Sequence, residues 1–216
     1  MISLGWISFA SCSAIGRHWC RCNIWALKYI CKLDYRVEGA EHIPTTPTIV
    51  LSKHQSAYET YLFMKLFPPI SWVLKRELFL IPVFGWSLAL TKPIAIDRKA
   101  GARAIDQVVK QGIQSLKEGR WVVIFPEGTR TRPGSPVNYR AGGSVLAVKS
   151  GQPILPVALN TGAFWPKGQF IKYPGTITVC FGPLIETTNK TSEEVLAETK
   201  AWIENKMEEI NQRATV

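Results

Sequence analysis

Beyond residue 40 the chain alternates short, β-branched apolar runs with longer segments of mixed character. Thr48–Ser52 (TIVLS), Ser71–Lys75 (SWVLK), Pro93–Ile96 (PIAI), Trp121–Phe125 (WVVIF), Ile154–Asn160 (ILPVALN) and Thr176–Phe181 (TITVCF) predict strands. Several are apolar at every position, as strands covered on both faces must be. Between and after them the spacing predicts helices over 56–66, 77–90, 100–117, 141–150 and 192–212. The last is polar and acidic, with Val195, Trp202, Ile203 and Ile210 as its apolar positions. The alternation predicts an α/β fold: a single domain whose mixed, largely parallel sheet is flanked by helices.

The first 33 residues read differently. Met1 to Gly16 carries no charged side chain. As a helix it reaches about 24 Å, short of the ~30 Å hydrocarbon core of a bilayer. Arg17, Arg21, Lys28 and Lys32 then fall within about 60° of one another on a helical wheel, with Trp19, Ala26, Leu27 and Ile30 opposite. A basic stripe against an aromatic one predicts an N-terminal membrane-interfacial helical segment over 1–33, ahead of a domain over 34–216. The same stripes also fit a surface helix packed on the core.

Charge sharpens this picture. The net charge is +10, but the chain from Glu186 onward has four Lys/Arg against seven Asp/Glu, so residues 1–185 carry 22 against 9, a net +13. A basic body suits an anionic membrane surface, an acidic substrate or nucleic acid. The cations are not interleaved with aromatics in any recognised nucleic-acid motif, so no nucleic-acid partner is expected. Hydrophobic content of 46% with 19% charged residues excludes a disordered chain. The five cysteines have no metal-ligand spacing, so they read as reduced thiols and no metal site is expected.

In parallel sheets, reactive groups collect where strands end. The first predicted strand runs into Lys53-His54-Gln55-Ser56-Ala57-Tyr58-Glu59, and WVVIF runs into Pro126-Glu127-Gly128-Thr129-Arg130. Two more end at Lys75-Arg76-Glu77 and at Asp97-Arg98. On a continuous helix His54 and Glu59 would stand about 140° apart; with His54 in the turn before the helix they converge. A carboxylate beside an imidazole fixes its tautomer and steadies the imidazolium. Ser56-x-x-Glu59 is equally a capping box. Gly128 permits a tight turn whose amides face an anion, and Arg130 offers a planar fork for phosphate. No G-x-S-x-G, P-loop or dinucleotide fingerprint is present.

His54-x4-Glu59, Ile96-Asp97-Arg98, Phe125-Pro126-Glu127-Gly128-Thr129-Arg130 and Ile154-Leu155-Pro156-Val157-Ala158 stand in an order and spacing that resembles the four blocks of the glycerolipid acyltransferases. The likeness is strongest to bacterial members that acylate lysophosphatidate, and it covers about residues 35–185. It departs at one position, where the family's H-x4-D has Glu59. The resemblance implies transfer of a fatty acyl group from a CoA or acyl carrier protein thioester to the sn-2 hydroxyl of 1-acyl-glycerol-3-phosphate, giving phosphatidic acid. His54 would be the general base and Glu59 its partner. Lys75, Arg98 and Arg130 would serve the acceptor's phosphate, with Gly128 and Thr129 in the binding loop. Glu127 would orient Arg130 or the acceptor's hydroxyl. No cofactor is implied beyond the thioester co-substrate. The implied location is the cytoplasmic face of the inner membrane, at an anionic surface. Leu78–Leu90 (LFLIPVFGWSLAL) is apolar enough to line an acyl slot or to be a core helix, and oxyanion amides are expected just before Pro156. Other acceptors (lyso-ornithine lipid, another lysophospholipid, glycerol-3-phosphate) would keep His54 and Glu59 but change the phosphate site. A non-catalytic membrane-surface protein is the remaining alternative.

Overall fold

The apolar runs pair into one seven-stranded sheet, formed by β1 (Leu33–Glu38), β2 (Ile49–Ser52), β3 (Ile70–Lys75), β4 (Ile94–Ile96), β5 (Trp121–Ile124), β6 (Ile154–Leu159) and β7 (Gly175–Phe181). The computed structural model describes residues 8–67, 69–82 and 84–214. Strand order is β1-β7-β6-β2-β5-β3-β4. Strands β2 to β6 run parallel to one another, β7 is antiparallel to β6, and β1 is parallel to β7. The sheet is therefore mixed and mostly parallel, as expected. β6 and β7 are joined by residues 160–174, which contain only one short helix, α6 (Thr161–Phe164), and the chain returns antiparallel beside β6.

Strand β1 was not expected. Its sequence, LDYRVE, alternates charge with apolar character, and it lies at the sheet edge, where only Leu33 is fully buried. Edge strands tolerate this charge because one side pairs with no neighbour.

The inner strands bury both faces. Val50 and Val123 enter one apolar cluster with Tyr58, Leu62 and Phe63 of α2 (Tyr58–Leu66). Ile49, Leu51, Val122 and Ile124 enter another, with Val108 and Val109 of α4 (Ala102–Lys117) and Leu146 and Ala147 of α5 (Gly142–Ser150). Ile203, Met207 and Ile210 of α7 (Ser192–Ala214) pack with Tyr139, Ala158 and Cys180.

Two expectations change. The helix foreseen over 77–90 is broken into a 3-10 turn, Arg76–Leu80, and a short α3, Phe84–Ala89, because Pro82 cannot supply an amide to a continuous helix. The amides before Pro156 lie at the start of β6, a core strand paired with β2, and so at the sheet edge opposite the C-terminal strand ends.

At the N-terminus, Phe9–Tyr29 forms one helix, α1; residues 1–7 of the uncharged run lie outside the described residues. Cys20, Ile24 and Leu27 are buried, and Ile24 and Leu27 belong to the cluster of Val50 and Tyr58. Ile15, Trp19, Trp25 and Tyr29 stay exposed. One stripe of α1 is thus core, and a second aromatic stripe faces outward. Among the described residues, no helix is long and apolar enough to cross a membrane.

Since α1 shares the core, Leu27→Ala should cost about 2–5 kcal/mol, as buried leucines do. Trp25→Ala, on the exposed stripe, should change stability by no more than ~0.5 kcal/mol. Denaturant midpoints of the two variants check the contrast.

Candidate active site

Because β2, β5, β3 and β4 are neighbours and parallel, their C-terminal ends deliver His54, Glu127, Lys75 and Arg98 to one edge of the sheet. His54 sits in the turn between β2 and α2, and its ring stacks on Phe125 at 3.7 Å between centroids with 10° between planes. Phe125 stacks in turn on Trp72 and Phe63. This aromatic pile fixes the plane of the imidazole.

Glu59 lies in the first turn of α2 and is fully buried (0% exposed). Its Oε1 accepts the Gln55 amide at 3.0 Å and the Ser56 amide at 2.9 Å, and Thr161 Oγ1 donates to it as well. Its Oε2 faces His54 Nδ1 at 3.6 Å. That nitrogen is buried and hydrogen-bonded to nothing among the described residues. The separation exceeds a good hydrogen bond, but catalytic contacts are often loose before substrate binds. The two readings of Glu59 are therefore compatible. Amides of the turn hold both carboxylate oxygens, Oε2 accepting from the Ser56 amide at 3.0 Å while it faces the imidazole, and His54 lines the cavity.

The loop after β5 clamps the same turn. Glu127 Oε1 accepts the His54 amide at 3.3 Å, and the His54 carbonyl accepts from the Thr131 amide at 2.8 Å and from Thr131 Oγ1 at 3.2 Å. Lys53 Nζ lies 3.6 Å from Glu127 and bonds both oxygens of Glu204 at 2.8 and 3.0 Å; Tyr139 donates to Glu204 at 2.7 Å. Glu127 Oε2 is buried with no hydrogen-bond partner among the described residues. Burial outweighs the Lys53 ammonium, and the carboxyl is pushed up to about 7.

In front of His54 opens a cavity of 1210 Å³, walled largely by apolar side chains of α1, α2, β3 and α4. Met64, Trp72, Leu74, Ile105 and Val108 belong to the wall, as do Leu78, Leu88 and Leu90. Val83, inside the expected acyl slot, lies outside the described residues. Polar groups gather at one side, where Lys75, Arg98, Gly128, Thr129 and Arg140 line the cavity. Arg98 donates to the Gly128 carbonyl. Gly128 has φ +69°, and a Cβ there would stand 2.8 Å from Arg140 Nε, so glycine serves both the turn and the passage of that guanidinium. Burial, then the nearby Arg140, lowers the Arg98 pKa. Two guanidiniums held this close at the N-terminus of α5 form a setting for an anion.

Among the residues expected to bind substrate, Lys75, Arg98, Gly128 and Thr129 line the cavity, while Glu127 and Arg130 do not. Glu127 faces Lys53 and the His54 backbone rather than Arg130. Arg140 was missed, although Tyr139-Arg140-Ala141-Gly142-Gly143 before a helix carries an anion-site signal. Lys53, Tyr139 and Glu204 were missed without any such signal, because Lys53 and Glu204 meet across 151 residues. Among the described residues no cluster of His, Cys, Asp and Glu suits a metal ion.

The Acyltransferase family profile matches residues 34–160. A 1-acyl-sn-glycerol-3-phosphate acyltransferase from Pseudomonas aeruginosa is 46% identical over 198 residues, covering 90% of this chain and 77% of its own. A chloroplastic 1-acyl-sn-glycerol-3-phosphate acyltransferase from Arabidopsis thaliana is 31% identical over 135 residues, 61% of this chain. The chain spans only 38% of that plant relative's length. The crystal structure of the 1-acyl-sn-glycerophosphate (LPA) acyltransferase PlsC from Thermotoga maritima superposes with a TM-score of 0.75, at 24% identity, over 94% of this chain and 81% of that one. At that identity the likeness is one of fold.

The raised pKa of Glu127 has a measurable sign. A carboxyl that binds its proton more tightly when folded favours the fold at low pH, and that contribution fades as pH rises from the unfolded value near 4.5 to about 7. Glu127→Gln removes the titration. The thermal midpoint of the variant minus that of the parent should therefore climb between those pH values and level off above them. A flat difference would mean that Glu127 titrates as an ordinary carboxyl.

Proposed function

The chain belongs to the acyltransferase family, and on that premise we propose that it transfers an acyl group from a thioester to the sn-2 hydroxyl of 1-acyl-glycerol-3-phosphate, giving phosphatidic acid. The observation that carries this reading is the His54 imidazole on the wall of an apolar cavity, with the buried Glu59 carboxylate behind it. An alcohol is a weak nucleophile at neutral pH, and a base in reach of its proton makes attack feasible. In the proposed step His54 Nε2 takes the hydroxyl proton as the oxygen attacks the thioester carbonyl. The C–O bond forms, the C–S bond breaks, and the proton passes from His54 to the leaving sulfur. Glu59 holds the neutral ring with its proton on Nδ1 and stabilises the imidazolium between the two transfers. A thiolate leaves readily, so the step needs no covalent enzyme intermediate and no cofactor. A CoA thioester and an acyl carrier protein thioester satisfy it equally.

The acceptor's phosphate is assigned to the polar side of the cavity, with Lys75, Arg98 and Arg140 as its cations and Gly128 and Thr129 in the turn beside them. Arg130, in the same loop but off the cavity wall, is the outer cation of the group. Glu127 acts through the His54 backbone as a positioning residue. The apolar walls take the acyl chains. This places the enzyme on a membrane that holds its acceptor, with the basic body toward anionic lipid and the site at the cytoplasmic face.

His54→Ala should lower turnover by about 10²–10⁴-fold while the thermal midpoint stays near the parent's. Glu59→Gln puts an amide where the carboxylate faces Nδ1. The amide would donate to that nitrogen and hold the ring with its proton on Nε2, the wrong tautomer for a base. Its turnover should fall by orders of magnitude, as carboxylate-to-amide changes do in such pairs. Near-parental rates from either folded variant would remove that residue from the mechanism.

The phosphate assignment makes a separate claim. Lys75→Ala and Arg140→Ala should raise the lysophosphatidate KM about ten-fold or more, since a charge-assisted contact is worth roughly 1.5–3 kcal/mol. An acceptor without the phosphate monoester should respond far less. Arg130→Ala is the comparison expected to give the smaller change. Equal losses on both acceptors would make these cations structural.

A further inference from the structure

The connection from β6 to β7 contains a feature that the proposed chemistry does not use. Residues 165–173 form a loop whose tip is apolar: Phe170 is 89% exposed and Ile171 61%. The loop is held by its own contacts. Lys172 Nζ donates to the Phe170 carbonyl at 2.6 Å and lies 4.4 Å from the Phe170 ring and 4.6 Å from the Trp165 ring. Trp165 Nε1 donates to the Gln169 carbonyl at 3.1 Å. An ordered loop that holds a phenylalanine and an isoleucine out in water has lost the usual gain from burying them.

Its position joins it to two other features. Trp165 stacks on Tyr61 at 6.1 Å, and Tyr61 meets Trp19 edge-on at 5.3 Å. Trp19 and Ile15 lie on the outward stripe of α1, and both line the cavity that reaches His54. Lys167 Nζ, in the same loop, donates to Thr129 Oγ1 on the polar side of that cavity. The loop tip, the exposed stripe of α1 and the cavity mouth therefore share one side of the molecule. The two segments that supply the loop and α1 are basic: between Glu127 and Glu186 the chain has no acidic residue and six cations, and before Asp34 it has four cations and no acid.

We propose that the 165–173 loop is a membrane anchor, inserting Phe170 and Ile171 into an anionic bilayer while Lys167 and Lys172 stay at the headgroups. With α1 it would give the enzyme two points of contact flanking the cavity mouth, so that a lipid acceptor enters from the leaflet without crossing water. Apolar side chains beneath a ring of cations are the composition that binds an interface. This rests on the acceptor being a membrane lipid.

The test is partition of the Phe170→Ser/Ile171→Ser double variant onto phosphatidylcholine vesicles with and without phosphatidylglycerol, read by co-sedimentation. Affinity should fall about ten-fold or more, the scale expected for withdrawing two large apolar side chains. The Phe170→Leu/Ile171→Leu variant should bind as the parent does. Turnover on a short-chain lysophosphatidate dissolved as monomer should be unchanged in both, and turnover on vesicle-borne acceptor should fall only in the serine variant. Unchanged vesicle affinity in the folded serine variant would overturn the anchor. So would a loss confined to acyl carrier protein as donor, which would make the loop a protein contact. If the parent itself fails to acylate the soluble acceptor, the proposed reaction fails while the partition result still decides the loop.

Discussion

The site depends on the in-register parallel pairing of β2 with β5, in which Ile49, Val50 and Leu51 align with Val122, Val123 and Ile124. That register makes the two strands end together. The turn carrying His54 and the turn carrying Glu127 and Gly128 are then close enough to share hydrogen bonds. A slip of one residue would exchange the two faces of β2, moving Val50 out of the cluster around α2 and Ile49 and Leu51 out of the cluster around α4 and α5. The apolar layers therefore set the geometry of the polar edge.

On that edge two buried carboxylates have different surroundings. Glu59 is held by amides of its own turn and by Thr161, so its negative charge is well supplied with donors and one oxygen remains directed at His54. Glu127 has a long contact with the His54 amide and an ammonium at 3.6 Å, and its second oxygen has no hydrogen-bond partner among the described residues. Burial therefore dominates and raises its pKa. Lys53, held by Glu204 from α7, links this cluster to that helix, so the acidic α7 supports the His54 turn.

The cavity combines two kinds of wall for the same reason. Its apolar part comes from helices that cover the sheet, and its cationic part comes from loops at the strand ends, where backbone groups and charges are free to meet a ligand. α1 closes one flank, burying Ile24 and Leu27 in the core while Ile15 and Trp19 border the opening. One stripe of the helix is core and the other is exposed.

The sequence by itself determined the local structure and its chemistry. Apolar runs such as WVVIF and ILPVAL predicted strands covered on both sides, and the residues that follow strands named His54, Glu59, Lys75, Arg98 and Gly128 as candidates. The two contacts of Glu59, with the turn amides and with the imidazole, were legible as alternatives, because a five-residue spacing permits both. Tertiary structure alone decided what depends on contacts distant in sequence. The 151-residue link from Lys53 to Glu204 has no periodic signature, and neither does the inward turn of Glu127. Edge strand β1 was hidden because its charges mask its pattern, and the break at Pro82 shortened a helix that apolar spacing alone extended. Arg140 reached the cavity only because Gly128 leaves room above its turn. Local patterns fix which face a residue prefers, and only the assembled sheet fixes which residue stands opposite.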